Sequence, residues 1–187
     1  MSKIPVLLPG TPMPAYSYVP GKFPHPIGDP QGHSFGEPPD EVANPDPQRW
    51  PECRPYLRGI DLFNHGFYWE AHESWEAVWH AAGRQGTVAD FIKGLIKLAA
   101  ACVKAREGSA IGVARHATRG DKLFCYAQAK VGIEASMMGL SLAELREFAQ
   151  RLEANADELV SAIDFPTTRR YIEQVVARQR LYRERQQ

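Results

Sequence analysis

The chain has 187 residues, the size of one domain with room for an appendage. Its 22 Lys and Arg residues balance its 22 Asp and Glu residues, so the formal net charge at pH 7 is zero. This balance argues against a general nucleic-acid or membrane-surface binder, which needs a dominant basic face. We therefore expect neither a nucleic acid nor a membrane as partner.

Cysteine usage and hydropathy favour the cytoplasm. Cys53, Cys102 and Cys125 are odd in number and include no Cys-x-x-Cys pair, so neither a disulfide framework nor a zinc knuckle is indicated. The longest mainly apolar run, residues 94–105, contains two lysines and is far shorter than the roughly 20 residues of a membrane-spanning helix. We predict a cytoplasmic protein.

Residues 1–52 are predicted to form an extended, proline-rich arm. Twelve of the fifteen prolines lie before residue 50, and proline both lacks an amide hydrogen and disfavours helix in the preceding residue. A disordered tail would be poor in aromatic residues, whereas this segment contains Tyr16, Tyr18, Phe23 and Phe35. We predict a strap whose aromatic side chains dock on the body; a loose tail is the alternative.

Residues 53–187 show helical periodicity without convincing strand alternation, which predicts an all-α domain, a small bundle of about five to six helices. The predicted helices cover about 57–63, 67–82, 87–107, 111–127, 141–163 and 167 onward. Ser141 and Glu144 form a capping box at the start of the fifth helix. The last helix, after Pro166, is amphipathic with a basic end.

The helix predicted over residues 67–82 carries the candidate chemistry. This part of the chain holds three of the four tryptophans and three glutamates, and carboxylates resist burial beside aromatic rings unless they are paired or bound. It therefore marks either a polar site set into a core or the wall of a ligand pocket.

A helical wheel at about 100° per residue separates the faces of this helix. The predicted core face consists of Phe67, Tyr68, Ala71, Trp75, Val78, Trp79 and Ala82. The polar border of that face consists of Trp69, His72, Glu73, Glu76 and His80. Glu70 and Ser74 lie on the far side, where we expect them to be solvated.

Three interpretations of His72 and Glu76, neighbours one turn apart, stay open. The pair is purely structural if a hydrogen bond from the ring to the Glu76 carboxylate holds His72 in place. Alternatively, histidine and carboxylate at this spacing bind a divalent metal, to which His80 would add a ligand. In the third interpretation His72 is a general acid-base whose pKa Glu76 raises, with Glu73 as a further catalytic residue. Because Glu76 replaces the second histidine of the His-Glu-x-x-His motif, we do not predict a protease.

The arm and the next helix supply further candidates. His25 and His33 flank a predicted β-turn at residues 29–32, and either would complete a metal site if the arm crosses the body near His72; as ordinary loop residues they would have no such role. Gly94 costs a helix about 1 kcal/mol relative to Ala, so we expect close packing there by Trp75 or Trp79. The ligand-binding candidates are Asn64, Tyr68, Trp69, Trp79 and Lys97.

A two-helix pattern resembles the Domain of Unknown Function 309 family. The pattern reads Leu62-Phe63-Asn64-x-Gly66-x-Tyr68-Trp69-Glu70-Ala71-His72-Glu73-x-Trp75-Glu76-x-x-Trp79, then Phe91-x-x-Gly94-Leu95-Ile96-x-Leu98-Ala99-Ala100. The resemblance covers about residues 56–125 and implies a small all-α bundle, but it names no activity. Where family members often have Gln after Gly-Leu-Ile, this chain has Lys97.

The leading functional hypothesis is a small-molecule or divalent-metal-binding domain with hydrolase-type acid-base chemistry at His72 and Glu76. The alternative is a non-catalytic helical interaction module that forms a homo-oligomer, in which the His-Glu pair is structural. The short helix-helix joints and the amphipathic last helix motivate this alternative.

Overall fold

The computed structural model describes residues 6–38, 41–132 and 136–161. Within them the chain forms mainly helices, which confirms the all-α prediction. The elements are a 3₁₀ turn (Trp50–Glu52), α1 (Arg54–Asn64), α2 (Tyr68–Ala81), α3 (Thr87–Arg106), α4 (Ala110–Val131), β1 (Ser136–Met137), β2 (Leu140–Ser141), α5 (Leu142–Ala154) and α6 (Ala156–Ser161). The helix predicted from Thr167 lies outside the described residues.

Helix α3 lies at the centre of the bundle because α2 packs on one side of it and α4 on the other. Helix α1 packs on α2, and α5 packs on α4. The apolar positions of these helices form one core, in which the large, fully buried side chains include Tyr56, Phe91, Ile92, Leu98, Val113 and Phe124. No described helix combines the length and apolarity needed to cross a membrane.

Two helix pairs approach closely at glycines. A Cβ atom on Gly59 of α1 would lie 2.2 Å from Nε1 of Trp75, and one on Gly94 of α3 would lie 2.4 Å from Cε1 of Phe124. The prediction of a packing role for Gly94 is correct, but its partner is Phe124 on α4 rather than Trp75 or Trp79. A wheel of one helix identifies a crowded face without identifying the helix that fills it.

Two boundaries differ from the predicted ones. The side chain of Ser141 caps α5, accepting a hydrogen bond from the Glu144 amide at 3.4 Å. The predicted continuous helix to residue 163 is wrong, because α5 ends at Ala154 and α6 follows Asn155. The Asn155 side-chain amide donates to the carbonyl of Arg151 at 2.7 Å and so occupies an acceptor at the end of α5.

The described part of the arm lies along α1 and α2. The backbone amides of Leu7 and Leu8 donate to the two carboxylate oxygens of buried Asp61 on α1, at 2.7 and 2.9 Å. The arm's Tyr18 is buried, whereas Phe23 and Phe35 are 47% and 52% exposed. The arm therefore contacts the helices both through backbone amides, which donate to the Asp61 carboxylate, and through side chains such as that of Tyr18, whose ring packs edge-on against Trp69 on α2.

Candidate metal and acid-base site on helix α2

Helix α2 presents its apolar face to the core and a group of three ionisable side chains at the border of that face. Trp75 and Val78 are buried, while His72, Glu73 and Glu76 are half-buried. One donor atom from each of the three lies within 4.8 Å of the others. The structure thus brings together the three residues predicted to be catalytic, and we call them the His72 cluster.

The His72 and Glu76 side chains are close without sharing a direct hydrogen bond. Nε2 of His72 lies 3.7 Å from Oε2 of Glu76, beyond the distance of a normal N–H···O bond. The structural interpretation requires Glu76 to hold the ring through such a bond. The separation instead leaves donor atoms of both side chains available to a third group.

Burial lowers the pKa of His72, and the charge of Lys97 on α3 lowers it further, while Glu76 acts in the opposite direction. Glu76 raises this pKa as expected, but the net shift is downward because desolvation of the charged ring outweighs the attraction of one carboxylate. The neutral imidazole is the form that accepts a proton or coordinates a metal.

The Glu73 carboxyl keeps its proton to a higher pH than an ordinary glutamate does. Burial, reinforced by the negative charges of Glu76 and Glu70, raises the pKa of Glu73 to about 7. Three carboxyl groups on successive turns of one helix repel one another, and a neighbouring cation would relieve that repulsion.

Glu70, expected to be solvated, is 6% exposed and is held by the arm. Its Oε1 accepts a hydrogen bond from the backbone amide of Tyr18 at 2.8 Å and lies 3.3 Å from Nε2 of His33. The prediction was wrong because the arm covers the side of α2 that a helical wheel assigns to solvent.

Neither arm histidine lies at the His72 cluster. His33 contacts Glu70, and its ring also packs edge-on against Tyr16, at a centroid distance of 4.7 Å. His25 packs edge-on against Trp69 at 5.2 Å, and its Nδ1 accepts the backbone amide of Gly28 at 3.1 Å. Within the described residues, the metal-ligating group comprises only side chains of α2.

The predicted ligand-binding residues lie in different surroundings. Asn64 and Tyr68 are 5% and 3% exposed and belong to the core, and the arm's Tyr18 and His25 cover Trp69. Trp79 packs under the ammonium of Lys93, 4.5 Å from the ring centroid. Lys97 is the member of this set whose charge acts on the His72 cluster.

His80, proposed as an additional ligand one turn beyond Glu76, is exposed and points elsewhere. Its Nδ1 accepts a hydrogen bond from Nε of Arg84 at 2.8 Å, and its ring packs on Trp79. It does not belong to the His72 cluster.

The sequence interpretation missed two groups of functional interest. Asp61 anchors the start of the arm, and an aspartate inside the apolar stripe of α1 was the available signal. On α4, His116 is flanked by Arg115 and Arg119, and the charge of Lys97 acts on all three. The sequence shows the run Arg-His-x-x-Arg, but only the tertiary structure places this run on the helix that packs against α3 on the side away from α2.

A separate groove of about 660 Å³ lies between the arm and the C-terminal end of α3. Its lining includes Ser17, Lys22, Phe23 and Arg106 and none of the residues predicted to bind a ligand or metal. The Lys22 ammonium donates to the carbonyl of Arg106 at 2.9 Å, so the groove's polar groups also hold the arm in place.

Comparison with known proteins identifies one family. No curated protein and no solved structure matches the chain. Residues 56–116 match the model of the family described as Domain of unknown function (DUF309). This match confirms the resemblance predicted from the sequence, although it ends before residue 125, and the whole His72 cluster lies within the matched residues.

Proposed function

We propose that the protein is a metal-binding helical domain in which His72, Glu73 and Glu76 hold a divalent cation. The observation that carries the proposal is the convergence of the three donor atoms to within 4.8 Å of one another on one face of α2. Rotation about side-chain bonds alone would bring such atoms onto a common ion, since all three project from a rigid helix.

The donor set suits a transition metal. One imidazole nitrogen and two carboxylate oxygens are ligands of zinc and of other first-row divalent ions. Three protein ligands leave a coordination position for water or substrate, as in catalytic zinc sites. A water bound there would lose its proton near neutral pH and would supply hydrolase-type chemistry.

Metal content and affinity test the proposal. Protein purified without an affinity tag, stripped with a chelator and titrated calorimetrically with Zn²⁺ and Mn²⁺ in phosphate-free buffer should bind one ion per chain. We expect Glu73→Gln and His72→Gln each to weaken binding roughly ten- to a hundredfold, because each removes a ligand that the free protein already positions.

His80→Gln is the matched control, because it changes an exposed histidine on the same helix outside the cluster. This variant should bind metal as the unaltered protein does. Absence of saturable binding would overturn the proposal, and so would an equal loss of affinity in His80→Gln.

A helical interaction module that forms a homo-oligomer is the second candidate. Three apolar side chains of the arm, Phe23, Ile27 and Phe35, are 47–52% exposed, which favours a contact with another protein surface. Light scattering coupled to size exclusion tests this candidate. A concentration-independent monomer whose mass is unchanged in Phe35→Ser counts against it.

We also infer that the protein works in a reducing compartment, with the cytoplasm as its location. Cys53, Cys102 and Cys125 are free thiols, and burial raises the pKa of Cys102 to about 12, which makes this thiol unreactive. Fractionation of cells that express the full chain tests the location.

A further inference from the structure

Helix α3 exposes one stripe between its two neighbours. Lys93, Lys97, Ala100 and Lys104 recur at helical spacing and are half-buried, whereas the positions around them are mostly buried. Since α2 packs on one side of α3 and α4 on the other, this stripe lies between the two neighbouring helices, and we call the surface along it the channel.

Two glycines of α4 lie close to the aliphatic carbons of lysines in this stripe. A Cβ on Gly120 would lie 3.6 Å from Cβ of Lys97, and one on Gly112 would lie 2.9 Å from Cγ of Lys104. The first carbons of both lysine side chains therefore pack against the α4 backbone, and the Lys104 ammonium pairs with Glu107.

The α4 side of the channel carries His116 between two exposed arginines. The Nδ1 atom of His116 is buried and has no hydrogen-bond partner among the described residues. Burial, followed by the charges of Lys97, Arg115 and Arg119, lowers the pKa of His116 to about 4. Positive charges of α3 and α4 thus act on a neutral imidazole whose Nδ1 atom is buried.

Acidic groups do little to offset this charge. Among residues 6–38, 41–132 and 136–161, no carboxylate forms an ion pair with Lys97, Arg115 or Arg119. The pKa of Lys97 is lowered, first by burial and then by Lys93 and Arg119, and Glu76 is the acidic group that opposes this shift. Mutual repulsion of this kind makes a protein surface receptive to an anion.

We propose that Lys97, His116, Arg115 and Arg119 form a binding site for the phosphate group of a small phosphorylated molecule. Three cations on two packed helices suit a dianion better than a carboxylate, and guanidinium groups match the geometry of phosphate oxygens. The inference rests on the proposed metal site, because Lys97 links the phosphate site electrostatically to His72 and Glu76. It names phosphorylated small molecules as the substrate class of that site.

Titration of the chelator-treated protein with inorganic phosphate tests the site. Ionic strength is held constant with NaCl, and binding is followed by calorimetry and by the midpoint of thermal unfolding. We expect saturable binding that raises the midpoint and that Lys97→Met or Arg119→Gln weakens roughly tenfold or more, because each removes a charge-assisted hydrogen bond. Titration with a phosphomonoester then compares the free ion with an esterified group.

Arg54→Gln is the control, since it removes one exposed charge at the start of α1, away from the channel. Its phosphate affinity should equal that of the unaltered protein. Lys97→Met should also unfold at a higher temperature than the unaltered protein without phosphate, because it removes a repelled, half-buried cation. A merely structural lysine would show the opposite change.

The two proposals fail separately. Absence of saturable phosphate binding, or an equal loss in Arg54→Gln, overturns the phosphate site even if metal binds. Phosphate binding that persists while no metal binds supports the phosphate site and overturns the metal site.

Discussion

Glu70 and Glu73 lie one turn apart on α2, yet their surroundings differ completely. Glu70 faces the arm, where it accepts a backbone amide and contacts a histidine. Glu73 lies on a neighbouring part of the same helix surface, where burial and the charges of Glu76 and Glu70 raise its pKa to about 7. The arm donates to Oε1 of Glu70, whose buried Oε2 has no hydrogen-bond partner among the described residues, whereas Glu73 lies among carboxylates that repel one another. This difference indicates that Glu70 is structural and that Glu73 suits a ligand.

Replacement of Glu70 should have the largest effect. Glu70→Ala leaves the Tyr18 amide without its acceptor and removes the partner of His33, and we expect a loss of about 3 kcal/mol in the free energy of unfolding. Urea denaturation measures it. Glu73→Ala is the matched comparison, and an equal loss in its free energy of unfolding would contradict the distinction between the two carboxylates.

Glu73→Gln should stabilise the metal-free protein at alkaline pH. The folded-state pKa of about 7 exceeds the ordinary value of 4.5, so the native state binds more protons than the unfolded chain between these values. Its stability therefore falls as pH rises through this window.

The amide that Glu73→Gln introduces cannot ionise, so the variant should be more stable than the unaltered protein by about 1 to 2 kcal/mol at pH 8, a value reduced from the full shift for solvent screening. Denaturation curves at pH 5 and pH 8 with a chelator present measure the difference. Parallel pH profiles for the two proteins would contradict the assignment.

His116→Gln should show the smallest effect, confined to acidic pH. The folded-state pKa of about 4 lies below the ordinary value of 6.5, so the unfolded chain binds more protons between these values and stability is lost as pH falls through them. Between pH 7 and pH 4.5, the free energy of unfolding of the variant should fall by about 1 kcal/mol less than that of the unaltered protein. A pH profile of His116→Gln that parallels that of the unaltered protein would contradict this prediction.

Much of the helical body could be predicted because its signals are local. The 3.6-residue recurrence of apolar side chains gave α1 to α4 to within a turn, and the capping box gave the start of α5. Grouping His72, Glu73 and Glu76 needed only the helical repeat. The break at Asn155 was missed because the apolar pattern runs on across it.

The relation of each helix to its neighbours could not be predicted in the same way. Glu70 was assigned to solvent because a wheel has no information about an arm whose Tyr18 lies 52 residues earlier in the chain. His116 was not considered because it follows α2 by two helices in sequence. The zero net charge of the chain likewise concealed a local excess of positive charge on α3 and α4.

The sequence by itself determined the helices, the DUF309 pattern and the three donor residues on one face of α2, because each depends on spacing within a short stretch of backbone. The tertiary structure decided which carboxylates are satisfied and which are not, and which helix supplies the cations beside the His72 cluster. The physical reason is that desolvation and charge interactions depend on distance in space, and residues far apart in sequence set those distances.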